Sequence, residues 1–169
     1  MNTTLPPRLS ILIATANGEL SSTLAATLRR LGLTNTRTAR DSAEAFRLLS
    51  QSPHDAMIID HAIGPEDGMT VTRRVRLNAA ASNRGMAIVM VSGDMPSEQT
   101  REAQDAGIDE FIHLPVTAQI LAARLESAIA APRPFVVSPT YAGPDRRREE
   151  APIEGQDRRT PANRGPKAT

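Results

Sequence analysis

The chain has 169 residues, 40% of them hydrophobic, which is enough for one domain with a substantial core. It carries 20 lysines and arginines against 19 acidic residues, and a formal net charge of +1 argues against a protein organised as a whole around nucleic acid or an acidic membrane surface. The chain has no cysteine, which excludes disulfides, thiol nucleophiles and cysteine-ligated metal sites.

The N-terminal part of the chain predicts two strand and helix pairs. Leu9–Ala14 is a short apolar run typical of a buried strand, and Asn17 is a suitable N-cap for a helix whose leucines recur at helical spacing. Thr34–Ala39 is β-prone but polar, which favours an edge strand. Asp41 and Glu44 form a capping box that opens a second helix.

Three further strand and helix pairs are predicted in the rest of the chain. The apolar runs 56–59 and 86–91 fit buried strands, and 110–113 fits a short strand. Helices are predicted around 69–81, over 97–106 and over 117–130. Five βα repeats with central strands apolar on both faces predict an α/β fold, a (βα)5 doubly wound parallel sheet. Functional residues in such folds lie outside the carboxyl ends of the strands.

The residues at these strand ends carry a family resemblance. Over roughly residues 8–131 the sequence resembles the flavodoxin-like receiver domain of bacterial two-component response regulators, through the segments ILIATAN, PHDAMIIDHAIGPEDGM, IVMVSGD and AGIDEFIHLPV. The segment PHDAMIIDHAIGPEDGM is the most specific, because an apolar run ending in Asp with Asp-Gly seven and eight residues later is typical of the phosphoacceptor strand and loop.

The resemblance implies roles for individual residues. In the family, an aspartate after the third strand accepts a phosphoryl group, an acidic pair after the first strand helps hold Mg²⁺, and a lysine after the fifth strand neutralises charge. Asp60 matches the phosphoacceptor, Ser92 matches a hydroxyl that contacts the phosphoryl group, and Phe111 matches an aromatic switch position.

Three positions depart from the family pattern. Thr15 and Ala16 stand where the acidic pair is expected, and Leu114 stands where the lysine is expected, before Pro115. Phosphoryl transfer depends on neutralising oxygen charge with metal and cations, so these departures predict a degenerate receiver in which Asp60 is a hydrogen-bonded relic.

Neighbouring residues leave three alternatives open for this site. Glu66 or Asp67 could turn toward a metal ion, and His61 or His113 could partly replace the missing lysine near neutral pH. A metal site built from Asp60 and both histidines is the third alternative. We expect the four side chains to be solvated loop or edge residues instead.

The sequence changes character after residue 131. Segment 132–169 holds seven of the 13 prolines, eight basic and five acidic residues, with little apolar content beyond 134–137. Such a segment cannot offset its ordering entropy, so we predict a mostly disordered tail after an N-terminal extension at 1–8 and a receiver-like domain at 9–131. Phe135 and its neighbours should pack on the domain, while the chain from about Tyr141 should stay mobile.

The tail contains a short repeat, GPDRR at 143–147 and GQDRR at 155–159. Arginine favours planar partners such as carboxylates and phosphates, which predicts protein recognition. A solvating tail with accidental similarity is the alternative. Acidic residues between the arginines weaken the case for nucleic acid. The candidate interaction residues are Arg146, Arg147, Arg148, Arg158 and Arg159.

These features predict a pseudo-receiver that acts as a phosphorylation-independent protein-interaction module in signal transduction. Its partners would be other signalling proteins, such as a histidine kinase or a scaffold. The alternatives are a conventional single-domain response regulator phosphorylated on Asp60 and a nucleic-acid adaptor that uses the tail. We expect no enzymatic activity and no cofactor, with Mg²⁺ bound only by the conventional regulator. No stretch resembles a signal peptide or a membrane span, so we expect a cytoplasmic protein.

Overall fold

The computed structural model describes residues 3–78, 81–93 and 97–146. Within them, a five-stranded parallel sheet has the strand order β2-β1-β3-β4-β5, and a separate two-stranded antiparallel sheet is formed by β6 and β7. The elements in chain order are β1 (Ile11–Ala14), α1 (Gly18–Arg30), β2 (Thr36–Ala39), α2 (Ser42–Gln51), β3 (Ala56–Asp60), α3 (Gly68–Leu77), β4 (Ala87–Ser92), α4 (Ser97–Ala106), β5 (Glu110–His113), α5 (Ala118–Ala130), β6 (Phe135–Val137) and β7 (Ala142–Pro144). The predicted (βα)5 fold is confirmed.

Side chains that cap the helices set where they begin. The Asn17 side chain accepts hydrogen bonds from the main-chain N–H groups of the first turn of α1, and Asp41 accepts one from Glu44 at the start of α2. The sequence predicted that α3 would end near residue 81, but the helix ends at Leu77. It ends there because the chain leaves the helical conformation at Asn78. The Arg84 side chain then donates to the Arg76 carbonyl and ties the following turn to the helix end.

The core consists of two layers, one on each face of the sheet. Every residue of β1, β3 and β4 is buried, as expected for parallel strands covered on both faces. Ile58 packs in the layer with α1 and α5, whereas its neighbour Ile59 packs in the layer with α2, α3 and α4. Complete burial of one such side chain is worth about 1.5–3 kcal/mol, so the two layers hold the strand ends in fixed positions.

The hairpin formed by β6 and β7 packs against the amino end of the sheet. Tyr141 is only 7% exposed, and its hydroxyl donates to the Pro144 carbonyl at 2.6 Å. A Cβ added at Gly143 would lie 2.8 Å from the Gly107 Cα, so the two backbones are in close contact. The Arg133 guanidinium donates to the carbonyl groups of residues 108 and 109.

The prediction of a disordered tail is therefore wrong for residues 132–146, and the prediction of mobility from Tyr141 is wrong for 141–146. Composition missed the hairpin because its stability comes from contacts with distant residues of α3 and the α4–β5 turn. Phe135 is 41% exposed and lies near the guanidinium groups of Arg76 and Arg84. Residues 147–169 lie outside the described part. Within the described residues, no helix is both long and apolar enough to cross a membrane.

Candidate functional site

The carboxyl ends of the parallel strands bring most of the predicted site residues to one edge of the sheet. Ala14 pairs with Ile59, so the next residues along each strand, Thr15 and Asp60, lie side by side. Ser92 ends β4, one strand farther along the sheet. We call this edge, formed by Thr15, Ala16, Asp60, Ser92 and Leu114, the mouth.

The Asp60 carboxylate is held by neutral donors. Asp60 is 9% exposed, and its Oδ2 accepts a hydrogen bond of 2.6 Å from the Thr15 hydroxyl. Its Oδ1 accepts one of 3.1 Å from the Ala62 N–H. Thr15 is buried and its Oγ1 also accepts from the Asn17 N–H at 3.1 Å. Thr15 thus stands at a predicted metal-ligand position and fixes the orientation of the carboxylate.

This donor set does not fit Mg²⁺. The ion takes oxygen ligands in near-octahedral geometry and depends on carboxylates for its affinity. Asp60 supplies the mouth's one carboxylate, and both of its oxygens accept hydrogen bonds from protein groups. Across the described ranges, no group of three or more histidine or acidic side chains is placed to hold a metal ion. The alternative metal site built from Asp60, His61 and His113 is therefore not formed.

The acidic residues suggested as replacement ligands are engaged elsewhere. Glu66 accepts two hydrogen bonds from the Arg74 guanidinium, at 2.6 and 2.9 Å. Asp67 caps α3 by accepting from the Thr70 N–H and hydroxyl. Burial alone would raise the pKa of Asp67, but these hydrogen bonds outweigh it, and the pKa lies below its usual value. Both carboxylates stabilise the loop and the start of α3.

The two histidines also have positions of their own. The His61 N–H donates to the Val91 carbonyl, and its Nδ1 is buried with no hydrogen-bond partner among the described residues. His113 is exposed, and its ring contacts Phe111 edge-on, with 4.6 Å between centroids. Because Phe111 packs against the layer with α3 and α4, this contact places His113 on the same side of β5.

The remaining predicted site residues lie at β4 and β5. Ser92 is 5% exposed, and its carbonyl accepts from the Leu114 N–H at 2.9 Å. In the described part of the chain, no hydrogen bond joins the Ser92 hydroxyl to Asp60. Leu114 is half-buried and is joined to Pro115 by a cis peptide bond. Leu114 places an apolar side chain where the resemblance implied a cation.

Of the arginines predicted to bind partners, the structure describes only Arg146. Its guanidinium pairs with Asp105 on α4 and lies 4.1 Å from the centroid of the Tyr141 ring. Arg146 therefore links the end of the hairpin to α4 through a half-exposed ion pair, and its role in binding a partner stays a prediction. The other four, Arg147, Arg148, Arg158 and Arg159, lie outside the described residues.

Sequence reasoning missed a buried charged cluster under the hairpin. Arg76 is 1% exposed and donates to three carbonyl groups and to Asp109 Oδ2, the last at 2.7 Å. Asp109 Oδ2 also accepts from the Ile88 N–H. Burial raises the pKa of Asp109 despite the adjacent guanidinium. The available signal was an arginine at a core-facing position of α3, next to Val75.

Comparison with known proteins identifies relatives of the chain among receiver domains and chemotaxis proteins. The family model described as "Response regulator receiver domain" matches residues 7–126. A chemotaxis protein CheY of Pseudomonas aeruginosa is 30% identical over 99 residues, which cover 59% of this chain and 78% of that protein. CheY-3 of Vibrio cholerae is 27% identical over 99 residues, covering 59% and 75%.

Solved structures show the same fold. The crystal structure of a response regulator described as putative, from Chloroflexus aurantiacus, superposes with a TM-score of 0.67 at 24% identity. The match covers 72% of this chain and 98% of that one.

Proposed function

Because the chain belongs to the response regulator receiver domain family of two-component signalling, we propose that it is a degenerate receiver that binds other signalling proteins without phosphorylation of Asp60. The hydrogen bond from the Thr15 hydroxyl to Asp60 carries this proposal. It puts a neutral side chain where a metal ligand is expected, and it orients the carboxylate through Oδ2.

The chemistry of phosphoryl transfer supports the proposal. The reaction needs the charge on the phosphoryl oxygens to be neutralised by metal ions and cations. The mouth offers Thr15, Ala16 and Leu114 at the three positions from which the family supplies that neutralisation. Loss of one phosphoryl-stabilising cation lowers the rate by about 10³–10⁵ in well-studied phosphoryl-transfer enzymes. Loss of the metal ligands and the cation together should make transfer too slow to serve as a signal.

The same argument favours constitutive binding. A ligand shifts a conformational equilibrium only if it binds the two conformations with different affinity, and the mouth lacks the groups that would capture a phosphoryl ligand. The surface beside β5 and α5 is a suitable contact area. Phe111 and Ile120 line a cavity of about 370 Å³ there, and Ile120 is 42% exposed. A histidine kinase or a scaffold protein would contact this face in the cytoplasm.

Phosphorylation can be tested by intact-mass measurement. The purified chain is incubated with Mg²⁺ and acetyl phosphate, beside the Asp60→Asn variant and a restored variant carrying Thr15→Asp, Ala16→Asp and Leu114→Lys. We expect no added phosphoryl group on the natural chain. A gain of one phosphoryl group that disappears in Asp60→Asn would overturn the proposal and favour the conventional regulator.

The restored variant sharpens this experiment. It returns carboxylates and an amine to the mouth while keeping Asp60, so it should gain a phosphoryl group that the natural chain does not. This result would show that the three departures alone account for inactivity. The proposal assigns no catalytic activity to the chain and no cofactor, and none of the described contacts favours nucleic acid as a partner.

A further inference from the structure

A cleft beside the mouth has the composition of an anion site. It lies between α1 and the end of β2, has a volume of about 580 Å³, and reaches Thr15 and Ala16 at one end. Arg29 of α1 and Arg40, which follows β2, both line it. None of the described residues that line it is an aspartate or a glutamate. The cleft therefore offers two guanidinium groups and no opposing carboxylate.

The two arginines are not neutralised by ion pairs. Within the ranges the structure describes, neither Arg29 nor Arg40 forms a salt bridge. Two carboxylates follow Arg40 in sequence, and both already accept hydrogen bonds at the start of α2. Asp41 accepts from the Glu44 N–H, and Glu44 accepts from the Arg40 N–H and pairs with an arginine of its own helix. Arg30 and Arg37 add further positive charge nearby in sequence.

The departures at the mouth strengthen this charge asymmetry. Positions 15 and 16 carry carboxylates in the family pattern, and those carboxylates would face the same end of the cleft. Here Thr15 and Ala16 are uncharged. Asp60 does not line the cleft, and the buried Thr15 hydroxyl donates to it from the cleft side. Arg40, which follows β2, lies at this end of the cleft, and Arg29, in the last turn of α1, lies toward its other end.

The other lining residues fit an anionic ligand. Ser21 and Thr38 place hydroxyl groups along the cleft. Gly18, which has no side chain, and the small side chains of Ala25 and Ala26 allow a ligand to approach closely. The volume is in the range of sites for small molecules, about 300–1,000 Å³. Arginine binds phosphate through two parallel hydrogen bonds. As ligands of two guanidiniums, a doubly charged phosphate matches the charge better than a singly charged carboxylate does.

We propose that this cleft binds the phosphate group of a small phosphorylated molecule. The lining residues that the structure describes include no aromatic side chain, so recognition rests on the phosphate rather than on stacking with a base. The inference goes beyond the proposed function and does not depend on it. Binding here requires neither phosphorylation of Asp60 nor its absence.

Titration with two probes tests the proposal. Pyrophosphate and ADP are added separately to the full chain at constant ionic strength, and binding is followed by amide chemical shifts and calorimetry. We expect saturable binding of both probes, with shifts centred on residues 18–26 and 38–40. Arg29→Gln and Arg40→Gln should each weaken binding by tenfold or more.

Arg30→Gln is the matched control, because Arg30 is adjacent on α1 and does not line the cleft. It should change the affinity by less than threefold. Ala16→Asp, which returns a carboxylate to the end of the cleft, should weaken binding, with circular dichroism confirming that the variant is folded.

Three results would overturn the proposal. One is the absence of saturation with either probe at 10 mM, a concentration that still detects affinities on the order of a millimolar. A second is an equal loss in Arg30→Gln, which would show attraction to surface charge alone. The third is tight binding of ADP without binding of pyrophosphate, which would show that the base rather than the phosphate is recognised.

Discussion

The two ends of the parallel sheet use charge in opposite ways. At the carboxyl end, the mouth holds the Asp60 carboxylate with a hydroxyl and a main-chain N–H. At the amino end, the Arg76 guanidinium is buried and pairs with Asp109 beneath the β6–β7 hairpin. At the carboxyl end the carboxylate is paired with uncharged groups, whereas at the amino end the largely buried carboxylate is paired with a buried guanidinium.

The largest expected effect comes from breaking the amino-end network. Arg76→Met removes a buried cation that makes four hydrogen bonds and leaves Asp109 buried without its partner. Removing one member of a buried ion pair costs about 3–5 kcal/mol. Urea denaturation should show a loss of that size in the free energy of unfolding.

Arg74→Met provides the matched control on the same helix. Arg74 pairs with Glu66, but its side chain is 53% exposed, and exposed pairs contribute about 0–1 kcal/mol. Similar losses in the two variants would contradict the assignment of a special role to the buried network.

A second substitution tests the contact between the hairpin and the body. A Cβ at Gly143 would lie 2.7 Å from the Tyr141 hydroxyl oxygen and 2.8 Å from the Gly107 Cα. Because the second neighbour is backbone, Gly143→Ala should displace the hairpin and cost about 1–3 kcal/mol, the usual range for overpacking. Thermal unfolding and protease cleavage between residues 131 and 146 measure the effect.

Gly85→Ala is the control for this substitution, since an added Cβ there meets no atom within 4 Å. It should leave the melting temperature and the protease pattern nearly unchanged. A Gly143→Ala variant as protease-resistant as the natural chain would mean that the hairpin does not depend on close backbone contact.

The sequence predicted the two ends with very different success. Periodicity and capping residues such as Asn17 and Asp41 are local signals, and they located the five helices and the parallel strands. The mouth could be placed because the positions after parallel strands converge at one edge. The hairpin could not, because it depends on distant residues: Gly143 packs against the Gly107 backbone, 36 positions earlier in the chain, and β7 contacts α3.

The mouth itself shows where sequence reasoning stops. Thr15 was identified as a departure from a carboxylate, but its role as the donor that holds Asp60 requires the strand register. The strand pleat also explains why the described hydrogen bonds of Asp60 come from Thr15 and the Ala62 N–H and not from Ser92. Side chains alternate between the two faces of a strand. In β4, Ser92 is therefore on the same face as Met90, in the layer with α3 and α4. In β3, Asp60 is on the same face as Ile58, which lies on the opposite side of the sheet.

A smaller loss is expected at the mouth. Thr15→Val keeps the side-chain shape but removes the hydroxyl that donates to Asp60 Oδ2 and accepts from the Asn17 N–H. Loss of a hydrogen bond to a charged group costs about 1.5–3 kcal/mol, and access of water to Asp60 should keep the loss near 1.5 kcal/mol. Urea denaturation measures it.

Thr34→Val at an exposed position serves as the control for Thr15→Val and should change stability by less than about 0.5 kcal/mol. A Thr15→Val variant as stable as the natural chain would mean that the hydroxyl contributes little to holding Asp60. The comparison between the two ends of the sheet would then rest on the amino end alone.

The smallest expected effect is a difference in acid sensitivity between the two ends. His54 lies before β3 at the amino end, is 6% exposed, and has an Nε2 without a hydrogen-bond partner among the described residues. Burial lowers the pKa of His54, and the charge of Arg37 acts in the same direction. The Ser52 carbonyl and Asp55 partly oppose them.

The lowered pKa fixes the sign of the pH dependence. Below the unfolded-state pKa of about 6.5, the unfolded chain binds a proton at His54 more readily than the folded chain does. Stability contributed by the neutral ring is therefore present above that pH and is lost as the pH falls below it, by at most about 1.4 kcal/mol per pH unit. His54→Phe should flatten this part of the stability profile between pH 7 and 5. The control is His113→Gln, at the exposed histidine of the carboxyl end, which should keep the slope of stability against pH of the natural chain. If His54→Phe also kept that slope, the acid-sensitive group would lie elsewhere.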